Sequence, residues 1–375
     1  MCKKRHYEFL GGRRMANGFF SLLAEADFRR RLAITLGALL VYRLGVAIPI
    51  PLQDLLPRYN MPVFMLGVVP FFSVLFALEM AKLSFPALQR WERAAPANAL
   101  KLQGYTVIAA LAIACYQAMA VGQTLAQIRM TSSALCYYCA NDPDPVYVYD
   151  SGIAIAAGAM LAGWLMIKTG RHGLGNGFWV FYAAVLAADL PVVFARAVSR
   201  VLSGVSEPQF LVAGGVLLAG AVAALVLADL RSRACHSSRA PDNVFGTSPA
   251  LTLAVWPPVL AAGFASILLP VLATQFNALV LLRPGHYAPA VATSVLIAIL
   301  AALYGFQSRL KRQARAAWTL ALVQIAVWLG AWFATKHAAL PFYAGANSII
   351  VITAVAVDLL HPAAPGRART GDDTP

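Results

Sequence analysis

The chain has 375 residues, of which 60% are hydrophobic and only 12% charged, yet its formal net charge is +14. Soluble domains average about 25% charged residues, so the balance argues against a soluble enzyme and against a disordered chain. The apolar residues fall in runs near 20 long, separated by short polar joints, which suits helices crossing a ~30 Å hydrocarbon layer. A transmembrane β-barrel would instead alternate apolar and polar residues in strands of about ten. The expected fold is therefore all-α, a polytopic helical membrane bundle. Its cysteines (Cys2, Cys115, Cys136, Cys139, Cys235) are too sparse for a disulfide framework.

The first segment, 1–31, is basic, and Phe19–Phe28 carries apolar residues at helical spacing before Arg29, Arg30 and Arg31. It reads as an amphipathic helix on the membrane face, or as a simple charged flank of the first span. The long apolar run that follows argues against a cleaved leader. Ten spans are predicted, at about 32–48, 63–83, 104–125, 152–168, 178–199, 209–229, 250–273, 288–306, 316–335 and 345–360. An even number puts both termini on one side. With the N-terminus in the cytoplasm, 23 of the 30 Lys and Arg residues lie inside, 6 lie outside and Arg43 lies within a span. That bias fixes the expected orientation and accounts for most of the net charge.

Ten spans divide into five-helix halves, 32–199 and 200–360, followed by a short tail, 361–375. An odd number of spans per half requires that homologous halves be inverted, as in many transport proteins. The second span of each half carries prolines: Pro70 and Pro86 in one, Pro257, Pro258 and Pro270 in the other. Helices broken at corresponding positions point to a working site, although membrane helices also tolerate proline without function.

No catalytic constellation is present. Glu79 and Asp358 lie near the cytoplasmic ends of their spans, where an intramembrane acid and a solvated one are both reasonable readings. The six histidines form no pair at metal-ligand spacing. Gly173-Leu174-Gly175-Asn176-Gly177 follows no strand, so it is read as a tight turn needing positive φ rather than a nucleotide loop. Cys136 and Cys139 lie in an outside loop and are either a local disulfide or two free thiols.

Several segments in order resemble the SecY family, the central subunit of the bacterial preprotein translocase. They are Arg31 to Gly45 with Ile48-Pro49-Ile50-Pro51, then Phe64 to Ser73 with its Gly67-x-x-Pro70. Next come Gly158 to Trp164 with Gly173 to Gly177, Trp256-Pro257-Pro258 with Phe264 to Ser266, and Leu340 to Gly345 with Ser348 to Asp358. The resemblance covers about residues 17–361. It implies a protein-conducting channel without catalysis or cofactor, in a bacterial inner membrane. An apolar ring would seal its waist, and a lateral gate would open between helices 2/3 and 7/8. By motif position the ring is Val68, Phe72, Tyr182, Leu186, Val259 and Val351, and the gate-helix prolines are Pro70, Pro257 and Pro258. Tyr182 departs from the family's aliphatic preference. Ordinary helix packing is the alternative for each ring position.

The implied partners are SecE-like and SecG-like membrane subunits, a SecA motor or a ribosome, the lipid bilayer and an unfolded polypeptide substrate. Three features depart from the family. Only Leu52 to Pro62 stand where a plug segment belongs. Loops 6/7 (Leu230–Pro249) and 8/9 (Gln307–Arg315) are short, leaving Arg231, Arg233, Arg239, Arg309, Lys311, Arg312 and Arg315 as partner contacts or as mere topology signals. Ile167 and Gly170 replace polar residues of the family. A specialised or non-conducting paralogue and a small-solute secondary transporter are the competing readings. Span 7 carries little but Ser266 as a polar group between Val255 and Val271, which counts against a transporter.

Overall fold

The computed structural model describes residues 26–49, 62–132, 145–205, 207–233, 243–275, 287–307, 311–337 and 345–360. Among them are twelve helices and, apart from one Pro49–Pro62 bridge, no strand pairing. In chain order the helices are α1 (Ala26–Ala47), α2 (Val69–Ser84), α3 (Pro86–Ala94), α4 (Pro96–Ser132), α5 (Pro145–His172) and α6 (Gly177–Ala188). There follow α7 (Leu190–Leu202), α8 (Pro208–Arg233), α9 (Pro249–Gln275), α10 (Ala288–Gln307), α11 (Lys311–His337) and α12 (Ala346–Leu360).

Every expected span coincides with a helix or a broken pair of helices. Seven stretches, in α4, α5, α6 with α7, α8, α9, α10 and α11, are long and apolar enough to cross a membrane. The pair α2 and α3 makes an eighth with a 105° bend between them. The other two differ from full spans. α1 opens on Asp27 and three arginines, and α12 has 15 residues, about 22 Å of helix. The chain is a multi-pass membrane protein.

A helix in hydrocarbon satisfies its own backbone, so association rests on close packing of small residues. On α4, Ala110, Ala114 and Ala118 recur every four residues and are fully buried. They meet α5, where Ile155, Ala159 and Ala162 are equally buried. Gly122 continues the α4 stripe, and a methyl there would stand 2.7 Å from the Val148 carbonyl oxygen. Opposite faces carry large apolar side chains outward, such as Ile108 and Tyr116 on α4 and Val212 and Val216 on α8, as lipid contact requires.

The packing repeats. In the first five spans α4 packs on α5 and α2, and α5 on α1 and α6. In the second five, α10 packs on α11 and α9, and α11 on α8 and α12. The third span thus meets the fourth and second, and the fourth meets the first and fifth, in both groups. The groups join through α6 against α12.

The glycine turn between α5 and α6 is a junction. Gly175 has φ +67°, as a tight turn requires. Gly173 and Gly177 serve close approach instead: a methyl on Gly177 would collide with the Met166 carbonyl oxygen, and one on Gly173 would stand 2.6 Å from the Thr35 hydroxyl. Asn176 caps α6, accepting from the Trp179 amide at 3.2 Å and donating to the Gly246 carbonyl at 2.9 Å. The Leu174 amide donates to the Thr35 hydroxyl at 2.9 Å. One turn thereby ties α1, α5, α6 and the segment leading into α9.

Candidate functional site

The chain enters α2 through Gly67, at φ +45°, and Pro70 stands in the first turn of the helix. There its missing N–H costs nothing, because first-turn amides have no intrahelical partner. Pro70 therefore starts α2 and does not break it. The break expected in this span lies at Phe85 and Pro86, where α3 turns back at 105°. Lys82 on α2 and Glu92 on α3 close that corner with a 2.7 Å ion pair, and the glutamate side chain is 3% exposed.

The prolines of α9 lie inside a continuous helix. Pro257 and Pro258 lack the amides that would bond the carbonyls four residues back, those of Leu253 and Ala254. Gln324 on α11 supplies the replacement. Its Nε2 donates to Ala254 at 2.9 Å and reaches Leu253 at 3.5 Å, and the side chain is buried. The broken ladder is thus mended from another helix.

The six positions expected to form the ring all fall within the large apolar core that also takes in residues of α1, α4, α5, α8, α10 and α11. Val68, Val259 and Val351 are buried, while Phe72, Tyr182 and Leu186 are half-buried against the same core. The Phe72 and Tyr182 rings stack at 5.2 Å, 12° from parallel. Tyr182 also stacks on Phe178 at 5.9 Å, and Trp179 meets Trp256 edge-on at 5.1 Å. Aromatic area of this kind dominates core energetics. These rings reach from α2 across α6 to α9, and the aromatic Tyr182 is a member of the stack.

Phe72, Phe76 and Glu79 stand at helical spacing along one stripe of α2. Phe76 approaches Gly263 of α9, where a methyl would lie 2.6 Å from its ring, and contacts Phe264 at 5.5 Å. Glu79 accepts a 2.8 Å hydrogen bond from the Tyr304 hydroxyl of α10, and both residues are buried. The solvated reading of Glu79 is therefore wrong: α3 folds back beside this end of α2 and Tyr304 covers the carboxylate.

The basic residues of the two short loops separate. Arg233 pairs with Asp229 at 3.0 Å and Asp358 at 2.7 Å, tying α8 to α12 with its guanidinium turned inward. Arg231 and Arg315 are exposed. Lys311 and Arg312 begin α11, with side chains outside the described residues. Arg239, Arg309, the Leu52–Met61 stretch, Cys136 and Cys139 also lie outside the described residues. Sequence reasoning missed Gln324 and Tyr304. A lone glutamine or tyrosine in an apolar span is the only signal either carries.

Comparison with known proteins follows the same lines. The chain is similar to the protein translocase subunit SecY of Escherichia coli K12, 24% identical over 201 residues, covering 48% of this chain and 44% of that protein. It is similar to the same subunit of Buchnera aphidicola subsp. Acyrthosiphon kondoi, 23% identical over 201 residues, covering 48% of this chain and 55% of that protein. The chain spans about half the length of these curated relatives. Among solved structures it matches a SecY whose plug domain stabilises the closed state of the translocation channel, with TM-score 0.53 and 13% identity. It also matches Sec61 of the canine ribosome-channel complex, with TM-score 0.53 and 14% identity. Each match covers 89% of this chain and 91% of the other, and each speaks to the fold. The SecY family profile matches residues 62–314, more than half of the sequence, and the chain belongs to the SecY family.

Proposed function

We propose that this chain is the channel subunit of a Sec-type translocase, passing unfolded polypeptide across or into a bacterial inner membrane. The observation that carries the reading is the Phe72–Tyr182 stack joining α2 to α6 at 5.2 Å, within the same apolar core that holds Val68, Leu186, Val259 and Val351. Bulky apolar side chains at a constriction expel water and so block ions until a polypeptide parts them. The matching packing order of the two five-span groups supports inverted halves over 32–199 and 200–360. The Lys and Arg distribution supports cytoplasmic termini, from the basic segment 1–31 to the tail 361–375. SecE-like and SecG-like subunits are the membrane partners on this reading, and a SecA motor or a ribosome is the driver. Of the bases in loops 6/7 and 8/9, Arg231 and Arg315 are exposed and stand available to that driver.

Membership of the family leaves the small-solute transporter without support. A specialised or non-conducting paralogue is the second reading, favoured by the stacked Phe72–Tyr182 pair at 5.2 Å, which fills the waist with rings.

Two experiments test the reading. Rescue of a SecY-depleted strain supports a general translocase, and failure with the protein present and assembled leaves the second reading. In planar bilayers, Val68→Gly and Val351→Gly should each raise ion conductance severalfold, because on this reading the apolar ring is the seal that holds ions back. Unchanged conductance in both refutes the ring assignment.

A further inference from the structure

We infer that Glu79 and Tyr304 form a polar latch that holds α2 shut against α10, with the hydration of Glu79 as the force that opens it. The inference rests on the channel reading for its biological meaning but not for its test.

The closed seam is graded along one face of α2. Phe72 is stacked on Tyr182, Phe76 lies against the bare backbone of Gly263 and the ring of Phe264, and Glu79 comes last. The apolar contacts gain by exclusion of water. Glu79 does not, since a buried carboxylate loses hydration and needs compensation. The nearest base on its own helix, Lys82, is paired with Glu92 at 2.7 Å and, with Arg93, offsets part of the Glu79 charge from a greater distance. Among the described residues no ion pair reaches Glu79, and its hydrogen bond comes from Tyr304 at 2.8 Å. One direct hydrogen bond to a charged group, helped by the more distant charges of Lys82 and Arg93, stands against the drive to rehydrate. When α2 leaves α10, the carboxylate regains water and the phenol loses little. The seam is thereby balanced by composition: closed it is held by apolar contacts and one direct polar bond, open its carboxylate is repaid by solvent.

This arrangement predicts effects of opposite sign at neighbouring atoms. Tyr304→Phe removes the bond and leaves the carboxylate buried alone, so the seam opens more often. Glu79→Gln keeps an acceptor for the hydroxyl and removes the charge that seeks water, so the seam opens less often. Replacing both partners, as in Glu79→Leu with Tyr304→Phe, leaves an apolar pair, which is often neutral or stabilising.

The test uses the full chain reconstituted in lipid vesicles, with hydrogen–deuterium exchange of α2 peptides as the readout of opening. Tyr304→Phe should raise exchange over 73–84 about tenfold, equivalent to about 1.4 kcal/mol, and the double variant should return it to the wild-type rate or below. Glu79→Gln should lower it. Unchanged exchange in Tyr304→Phe overturns the latch. So does a double variant that opens as much as Tyr304→Phe, or a Glu79→Gln that opens more than wild type. If Tyr304→Phe does not fold, Glu79→Gln still decides the matter, and a double variant that exchanges faster than wild type overturns the latch. Conductance of the same vesicles is measured in parallel: faster exchange without conductance upholds the latch and refutes the channel reading instead.

Discussion

Gln324→Leu removes the amide that mends the α9 helix and nearly nothing else, because leucine fills a similar volume. The Ala254 carbonyl loses a bond at 2.9 Å and the Leu253 carbonyl a marginal one at 3.5 Å. An orphaned buried carbonyl costs ~1–3 kcal/mol, and side-chain bonds between membrane helices average about 0.6 and reach about 1.7 kcal/mol. Gln324 Oε1 finds no partner among the described residues, so its removal offsets part of the loss. A net destabilisation of about 1 kcal/mol follows, read as a shift of the unfolding midpoint in an SDS titration from mixed micelles. The decisive measurement is a cycle with Pro258→Ala, which restores the amide that Ala254 lacks. In that background Gln324→Leu should cost about half as much or less. If the cost is the same with and without Pro258, the amide does not serve the proline gap and the reasoning fails.

Other expectations concern packing and charge. Gly177→Ala should cost about 3 kcal/mol or prevent folding, because its methyl meets the Met166 carbonyl and overpacking on backbone has no flexible outlet. Gly215→Ala, with nothing within 4 Å of the new methyl, should stabilise by about 0.5–1 kcal/mol, and the same micelle titration compares the two. Arg233→Ala should cost about 3 kcal/mol by removing a shared guanidinium from Asp229 and Asp358, whereas Arg231→Ala, which is exposed, should change thermal stability by under ~0.5 kcal/mol. Ala114→Leu should part α4 from α5 and lower expression of folded protein, while Ile108→Leu on the outer face of α4 should leave it unchanged.

Helix positions were legible because a bilayer imposes one length scale and one polarity on every span. Helix ends were less so: α4 runs on to Ser132 and α5 starts at Pro145, since a helix does not stop where hydrocarbon does. Gly175 was readable as a positive-φ turn, but Gly177 is glycine for a different reason, contact with the α5 backbone, which no local pattern reveals. The proline pair in α9 was visible as a break. Its repair by Gln324 was not, because 66 residues separate Gln324 from Pro258 and only the packed fold joins them. Glu79 misled for a physical reason. Its depth in the span resembled a snorkelling acid's, and the 105° return of α3 that encloses this end depends on Phe85 and Pro86 acting together with the Lys82–Glu92 pair.

That corner has a mechanical meaning. α3 is a rigid arm of nine residues, about 13 Å long, set nearly square to α2. Lys82 and Glu92 act as a strut from the shaft to the far end of the arm, so the elbow at Phe85 does not fold freely. The orientation of α3 is therefore coupled to the end of α2 that carries Glu79, one turn before Lys82. Glu92, at the far end of α3, is thus the residue that fixes where the arm stands.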